Sequence, residues 1–517
     1  MSKNNTLINP LIKARIEKYI NTNEVYEKGC VISVYDGIAV ISGADDVMLN
    51  ELVQFENGTY GVVFNLNIDS VSVVLLGEYS NINEGSVIKR TKKIINALVG
   101  DELLGRVIDP LCNPIDGKGN INTKKTSPIE QNAHSIFERA KIDTPLETGI
   151  FLIDTIFPIG LGQRELIIGD SQTGKTTIAI NTIINQRGKN INCIYVSIGQ
   201  KKSSLARIIN KLSENNALEY TTIVSASASD LPSLKYIAPF VGITIAEEWM
   251  HAGKNVLIIY DDLSKHASSY RTISLLLKRS PGREAFPGDI FYLHSRLLER
   301  SCKLNEEKKG GSITCLPIIE TQAGEISAYI PTNLISITDG QLFTQRSLFN
   351  EGQKPAIDVS LSVSRIGSAA QIKSIKKTAS NIKIDIAQFL DVVAFNKFDD
   401  DIDEHTLKII EHGKRIMILL KQNNDTYYSQ IEEIIMLFAI KSKLIDFIPL
   451  NNILDFNEKL LNEFINNETI IKINKKKDIS NEDENILFND LRLYIKKYVS
   501  DIPGYDISNY FEESDKE

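Results

Sequence analysis

The sequence predicts a multidomain α/β protein with a small N-terminal β-barrel, a central parallel-sheet domain and a C-terminal helical bundle. Short strand-like segments separated by turn residues fill residues 24–95, which is typical of a small barrel. Unbroken apolar runs alternate with helical stretches over residues 96–375, as in a parallel sheet that is covered on both faces. Residues 376–517 show helical periodicity and almost no strand pattern. The chain of 517 residues also exceeds the size of one hydrophobic core, so several domains are expected.

Residues 1–23 predict a helix, because five apolar side chains recur at helical spacing, namely Leu11, Ile12, Ile16, Tyr19 and Ile20. Such an amphipathic helix either docks on a partner chain or packs against its own domain, and both alternatives fit the pattern. The segment lacks the apolar core of a secretory signal. No stretch of the chain reaches the roughly 18 apolar residues that a membrane span needs. We therefore expect any connection with a membrane to run through other chains.

Two hairpins are predicted within the barrel region. Asp36-Gly37 and Asn57-Gly58 each separate two short strand-like segments. Both dipeptides favour the positive φ angles that a type I′ turn requires at its two central residues. The turn chemistry therefore predicts antiparallel strand pairs early in the chain.

Composition argues against two classes of protein. The net charge of −8 argues against a nucleic-acid binder, since such proteins are more often basic. The five cysteines form no C-x-x-C pair, and neither a Cys/His cluster nor an H-E-x-x-H motif indicates zinc. We expect reduced, buried thiols in a cytosolic protein.

The strongest motif is a glycine-containing loop that fits the pattern G-x-x-x-x-G-K-[ST]. An apolar strand-like run precedes the loop, and a helical pattern that includes Thr177 follows it. Backbone N–H groups in such a loop surround the phosphate oxygens of ATP or ADP. The lysine is expected to reach the β- and γ-phosphates, and the last threonine to place its hydroxyl on Mg²⁺. The motif therefore predicts that residues 96–375 form a P-loop (RecA-like) domain. The loop consists of Gly169, Asp170, Ser171, Gln172, Thr173, Gly174, Lys175 and Thr176.

A second motif supplies the carboxylate that a magnesium–nucleotide site needs. Four apolar residues and a tyrosine, residues 256–260, end in Asp261-Asp262. An aspartate that closes an apolar strand after a phosphate loop is typical of a Walker B segment. We expect Asp261 on the metal side together with Thr176, with Mg²⁺ contacted through water.

These motifs lie within the longer stretches GLGQRELIIGDSQTGKT (160–176), IYVSIGQKKSS (194–204), LIIYDDLSKHASSYRTISLLLKRSPGREAFPGDIFYLHSRLLER (257–300), LPIIETQAGEISAYIPTNLISITDGQ (316–341) and SVSRIGSAAQ (362–371). Together, these stretches closely resemble the alpha subunits of the F-type ATP synthase head. The resemblance covers nearly the whole chain and is weakest beyond residue 425. It implies the three-part fold predicted above and three alpha subunits that alternate with three beta subunits around a central gamma-type stalk. It also implies a peripheral stalk near the N-terminal helix, and a cytoplasmic location at the inner face of the cell membrane through partner subunits.

Three features resemble alpha subunits, which bind ATP without turnover, more than beta subunits, which hydrolyse it. The phosphate loop carries Asp170 and Gln172 where the beta loop has small residues. Gln200 stands where beta subunits place the glutamate that activates the attacking water, and an amide cannot accept that proton. Arg365 resembles the arginine that reaches the γ-phosphate in a neighbouring beta site, where a guanidinium stabilises developing charge. Ser362 lies on the same segment as Arg365, and we expect it to help shape the interface with the neighbouring subunit.

Two departures from the family pattern concern the nucleotide. Ser171 stands where the family usually has arginine, which predicts weaker binding of nucleotide or Mg²⁺ than in a typical alpha subunit. Gln422 matches the first residue of a glutamine pair near the adenine, and asparagine replaces the second.

Three alternatives to a synthase subunit remain at this point. One is an alpha-like subunit of a duplicated synthase head that serves as a motor, for example in the gliding machinery of wall-less bacteria. Another is an autonomous hexameric, helicase-like P-loop ATPase, which Gln200 and the lack of a basic or aromatic patch disfavour. The third is a scaffolding subunit without nucleotide, which the intact Lys175, Thr176 and Asp261 disfavour.

Overall fold

Six antiparallel strands close into a barrel near the N-terminus, in the order β1-β2-β5-β4-β3-β6. The computed structural model describes residues 28–44, 46–395 and 403–502, and the helix predicted for residues 1–23 lies outside these ranges. Alternate residues of the strands point inward and form a separate apolar core that includes Val53, Val63 and Val73. The strands are Lys28–Tyr35 (β1), Ile38–Ser42 (β2), Glu51–Phe55 (β3), Tyr60–Leu66 (β4), Val71–Leu75 (β5) and Val87–Ile94 (β6).

Both predicted hairpins form, but only the first has the predicted turn. Asp36 and Gly37 have φ angles of 46° and 83°, as a type I′ turn requires. In the second hairpin Gly58 has a φ of 85°, whereas Asn57 does not have a positive φ. Four residues separate β3 from β4, and the N–H of Gly58 donates to the carbonyl of Phe55 at 2.9 Å. The prediction of a second type I′ turn is therefore wrong, because the longer loop accommodates Asn57 with a negative φ.

An eight-stranded sheet forms the centre of the molecule, in the order β18-β17-β12-β16-β15-β13-β14-β8. All of its neighbouring strands run parallel except β18, which is antiparallel to β17. The inner strands are buried on both faces, which explains their unbroken apolar runs. The strands are Val107–Ile108 (β8), Leu166–Asp170 (β12), Ile191–Gln200 (β13), Thr221–Ser227 (β14), Asn255–Asp261 (β15), Ser312–Thr321 (β16), Gly340–Thr344 (β17) and Val363–Ser364 (β18).

Helices and two small ribbons surround this sheet. Strand Asn96–Leu98 (β7) pairs with Thr126–Pro128 (β9), and Pro145–Leu146 (β10) pairs with Ile159–Gly160 (β11). The parallel order brings the carboxyl ends of β12, β13, β15 and β16 to one edge, where ligands of open α/β sheets bind. The helices are Phe151–Ile156 (α1), Lys175–Ile184 (α2), Lys202–Glu214 (α3), Pro232–His251 (α4), Leu263–Leu276 (α5), Ile290–Leu298 (α6), Tyr329–Ile337 (α7) and Arg346–Asn350 (α8).

The C-terminal part is helical, as predicted. Capping boxes at Ser429 and Ser480 begin the fourth and the last of its helices. The bundle shares one continuous apolar core with the sheet domain, which joins Ile180 of α2 to Leu420 and Ile434. None of the described helices combines the length and the apolarity that crossing a bilayer requires. The helices are Lys373–Thr378 (α9), Ile382–Phe395 (α10), Glu404–Leu419 (α11), Gln430–Lys441 (α12), Ile453–Phe464 (α13), Glu468–Lys476 (α14) and Asn481–Ser500 (α15).

All five cysteines are free thiols, and four of them are buried. Burial raises the pKa of the Cys112 and Cys302 thiols to about 11, which keeps them protonated. The expectation of buried thiols is wrong for Cys30, because its side chain lies on the outward-facing side of β1.

Two histidines are fully buried between α4, α5 and α6. Nδ1 of His266 lies 3.3 Å from Nε2 of His294, and Nε2 of His266 lies 3.0 Å from the carbonyl of Tyr236. Burial lowers the pKa of His266 to about 4 and the pKa of His294 well below its ordinary value. Both rings are therefore neutral at neutral pH.

This burial predicts a pH-dependent contribution to stability. Below a pH of about 6.5 the unfolded chain binds a proton at His266 that the folded chain does not, so the folded state loses stability as the pH falls towards 4. His266→Gln lacks this proton uptake. We expect the free energy of unfolding of His266→Gln to lie below that of the wild type at about pH 7.5. At about pH 5 this difference should be about 2 kcal/mol smaller. Chemical unfolding at both pH values measures this, with the exposed His405→Gln as the control; an equal deficit at both would contradict it.

Candidate nucleotide-binding site

The phosphate loop joins β12 to α2, and close packing constrains its first glycine. A Cβ atom at Gly169 would lie 2.1 Å from Oγ1 and 2.3 Å from the carbonyl oxygen of Thr344. Gly174 precedes the helix with a φ of 93°, a conformation that glycine adopts without strain. The hydroxyl of Thr173 bonds to the Asp170 carbonyl at 2.9 Å and to Oγ1 of Thr344 at 2.6 Å. These contacts fix the curvature of the loop before any ligand binds.

The ammonium of Lys175 lies inside the loop. Its Nζ donates to the carbonyl of Gly169 at 2.8 Å and to the carbonyl of Asp170. Burial lowers the pKa of the Lys175 ammonium. Several nearby carboxylates oppose this shift, and Glu320 has the largest effect among them. An ammonium has three N–H donors, so one remains for a phosphate oxygen.

Asp261 lies at the carboxyl end of β15 and receives three side-chain hydrogen bonds. Its Oδ2 accepts from the hydroxyl of Thr176 at 2.8 Å and from the hydroxyl of Tyr195 at 2.7 Å. Its Oδ1 accepts from Nε2 of Gln200 at 2.9 Å. Burial, and then the charge of Asp261, raise the pKa of Tyr195 well above its ordinary value, so the phenol remains a donor. The structure therefore brings Thr176, Gln200 and Asp261 together.

The oxygens of Thr176 and Asp261 fit a magnesium site. A hydroxyl and a carboxylate are hard ligands of the kind that Mg²⁺ prefers, alongside water and substrate phosphates. The neighbouring Asp262 caps the N-terminus of α5, because its Oδ1 accepts from the N–H of Lys265 at 2.8 Å. Burial raises the pKa of Asp262, and Nζ of Lys265 pairs with it at 2.9 Å. Of the two aspartates, Asp261 is therefore the one that fits the metal.

A cavity of about 310 Å³ opens beside the loop. The predicted residues Gln172, Thr173, Gly174, Lys175, Thr176, Thr177 and Gln422 line it. Gly169 and Asp170 hold Lys175 instead, and Gln200 and Asp261 connect to the cavity through Thr176. The sequence did not predict several further residues of the cavity wall. Some of these further residues follow β17, which pairs with β12, the strand that enters the loop, and this position in the sheet is the signal that could have identified them. The missed residues are Ile150, Ile178, Asn181, Phe349, Lys354, Pro355, Ala356 and Asn424. Asn423, the asparagine that replaces the second glutamine of the pair, also lines the cavity.

Gln422 lines the cavity, but its amide group is engaged within the chain. Its Oε1 accepts from the N–H of Phe151 at 3.0 Å. Its Nε2 donates to the carbonyls of Gly149 and Thr426, both at 2.7 Å. Both amide hydrogens are therefore used, so Gln422 holds the cavity wall and offers no free N–H donor to a base.

Arg365 and Ser362 lie away from this cavity. The exposed guanidinium of Arg365 donates from Nη1 to the carbonyl of Thr338 and from Nη2 to the carbonyl of Ile335, both at 3.0 Å. Both carbonyls are at the C-terminal end of α7, where a cation is favourable. Ser362 is fully buried, and its hydroxyl accepts from the N–H of Phe343 at 2.9 Å. Within this chain Ser362 supports the segment that carries Arg365 and does not reach the surface.

Comparison with known proteins agrees with this geometry. Models of the ATP synthase alpha/beta family match residues 25–92 (β-barrel domain), 149–364 (nucleotide-binding domain) and 371–492 (C-terminal domain). The chain is 56% identical over 501 residues to ATP synthase subunit alpha of Mycoplasmoides gallisepticum and 53% identical over 501 residues to that of Mycoplasma genitalium, with 97% of each chain covered in both cases. It is 49% identical over 520 residues to that of Mesoplasma florum, with 100% of this chain and 99% of the other covered. The chain therefore belongs to the ATP synthase alpha/beta family.

Proposed function

We propose that this chain is the nucleotide-holding, non-hydrolysing subunit of a rotary ATP synthase head, and that it lends Arg365 to the catalytic site of a neighbouring beta-type subunit. Gln200 carries the first half of the proposal. Its amide nitrogen donates to Asp261 at 2.9 Å, beside Thr176 and the phosphate loop. Hydrolysis needs a group that orients water and accepts its proton, and an amide at this position does not accept one.

Magnesium nucleotide is the proposed ligand of the cavity. The third N–H of Lys175 and the backbone N–H groups of the loop would bind phosphate oxygens. Thr176 and Asp261 would hold Mg²⁺, which neutralises phosphate charge when it is bound. The apolar wall at Phe349 and Pro355 suits the base.

The exposed Arg365 supports the second half of the proposal. Two of its five N–H groups donate to carbonyls at the C-terminal end of α7, those of Thr338 and Ile335. These bonds fix the plane of the guanidinium and leave donors for a partner. In an alternating ring this group would meet the nucleotide of a beta-type subunit, with a gamma-type stalk at the centre and a peripheral stalk near the N-terminal segment. These partners would place the chain at the inner face of the membrane. The chains that co-purify with it test this arrangement and separate a synthase from a specialised motor.

The purified chain alone tests the site itself. We expect it to bind Mg-ATP without turning it over, and Lys175→Ala to weaken binding roughly 10- to 100-fold through the loss of a charged hydrogen bond. A titration with a fluorescent ATP analogue, together with a phosphate-release assay, measures both results. Lys202→Ala, at the exposed start of α3, is the matched control. Brisk turnover by the chain alone would refute the proposal.

A further inference from the structure

Arg346 approaches the phosphate loop from a distant part of the sequence. It is the first residue of α8, directly after β17, and β17 pairs with β12, the strand that enters the loop. Its Nη2 donates to the carbonyl oxygen of Ser171 at 3.3 Å. The topology of the sheet thus brings a cation to the one loop position where the family pattern predicts arginine and this chain has serine.

Arg346 forms no ion pair with any residue that the structure describes. Within the described ranges no carboxylate oxygen lies within 4.0 Å of its guanidinium. Asp170 is the one acidic residue of the loop, and its Oδ1 is already bonded to the hydroxyl of Thr321 at 2.7 Å and to the N–H of Gly324 at 2.8 Å. Burial acts against ionisation of Asp170, but these two hydrogen bonds and the charges of Arg346 and Lys175 lower its pKa. Asp170 is therefore held by neutral donors and does not pair directly with the arginine.

The hydrogen bond also orients a peptide of the loop. Ser171 and Gln172 share a peptide group, and in a planar trans peptide the carbonyl and the N–H point in opposite directions. Arg346 holds the carbonyl of Ser171, so the N–H of Gln172 points away from Arg346. Gln172 lines the cavity with a φ of 64°, a left-handed conformation that is uncommon for a residue with a side chain. A contact that holds this peptide therefore steadies a strained part of the loop.

We propose that Arg346 supplies to the phosphate loop the positive charge that Ser171 lacks, and that it holds the Ser171–Gln172 peptide in its phosphate-binding orientation. Arg346 does not line the cavity, so it is a positioning residue that acts through the loop and through its charge. The inference rests on the nucleotide-binding role proposed above. It replaces the expectation that Ser171 weakens the site, because the missing cation is restored from another segment.

Four variants of the full chain test this proposal by titration with Mg-ATP. Arg346→Met keeps the length of the side chain and removes its charge, and we expect about two- to fivefold weaker binding, the scale of an exposed charge. Arg346→Lys should retain most of the affinity. The exchange Arg346→Ser with Ser171→Arg should restore affinity to within about twofold of the wild type, whereas Ser171→Arg alone should add little. The loss in Arg346→Met should shrink at high ionic strength, because salt screens exposed charges.

The outcomes separate this inference from the proposed function. Wild-type affinity in Arg346→Met would overturn the role of Arg346 and leave the nucleotide site intact. Weaker binding that neither lysine nor the exchange restores, and that salt does not change, would show a purely structural contact and overturn the role of the charge. A wild-type chain that binds no Mg-ATP would overturn both proposals. A melting curve of each variant checks that the fold is retained.

Discussion

Arg365→Ala is expected to lower ATP hydrolysis by the assembled head at least about 10³-fold, the scale found when an arginine finger is removed. The guanidinium is exposed and held in one plane by the two carbonyls at the end of α7. A guanidinium held in this way can stabilise charge that develops on a neighbour's phosphate without first being ordered. Steady-state ATPase of the reconstituted complex measures the loss, and a titration of the isolated variant should show unchanged Mg-ATP binding.

Two controls sharpen this experiment. Arg365→Lys keeps the charge but loses the planar fork of donors, so it should recover little of the activity. Arg207→Ala, another exposed arginine that donates to a backbone carbonyl, should leave hydrolysis unchanged. Size-exclusion chromatography must show that each variant still assembles. Normal ATP turnover in a fully assembled Arg365→Ala complex would refute the proposal that this residue acts in a neighbouring catalytic site.

Arg300→Met should destabilise the chain by about 3–5 kcal/mol, the usual cost of breaking a buried ion pair. Arg300 and Glu247 have exposed side-chain fractions of only 1% and 3%. Nε and Nη2 of Arg300 donate to the carboxylate of Glu247 at 2.7 and 2.6 Å, and Nη1 donates to the carbonyl of Ile129 at 2.7 Å. Methionine would leave the Glu247 carboxylate buried without its partner. Denaturant unfolding, followed by circular dichroism, measures the change.

A double variant distinguishes the pair from simple packing. Arg300→Met with Glu247→Met removes both charges, and it should recover much of the stability that the single variant loses. Lys459→Met breaks an exposed pair with Asp455 at 2.9 Å and should cost less than about 1 kcal/mol. If Arg300→Met cost no more than Lys459→Met, the buried pair would not hold this region together.

Local patterns in the sequence were enough to name the residues at the centre of the candidate site. The loop sequence and the apolar strand before Asp261 predicted residues that the structure joins through the 2.8 Å bond between Thr176 and Asp261. The residues could be named from the sequence because a phosphate loop is one continuous segment and a Walker B aspartate is marked by the strand that it closes. Their roles in binding nucleotide and Mg²⁺ stay predictions. The three-part fold was predictable for the same reason, since each part has its own periodicity.

Contacts that depend on the neighbours of a strand were not predictable from local patterns. Phe349 and Lys354 line the cavity only because β17 pairs with β12, and no motif within their own segment marks them. The same holds for Arg346, whose bond to Ser171 crosses from one strand connection to another. Gln422 was identified by position, but the structure shows that its amide is engaged with backbone groups.

The hydrogen bonds of Gln422 have a mechanical consequence. Gln422 follows α11 of the helical bundle, and it bonds to Phe151, Gly149 and Lys354 of the sheet domain. The cavity beside it has walls from both domains, so a ligand that fills it is gripped from both sides. Rotation of the bundle against the sheet would have to break these bonds and widen the cavity at the same time. A force that turns the bundle should therefore move the sheet domain with it, and a ligand in the cavity should couple the two domains more tightly.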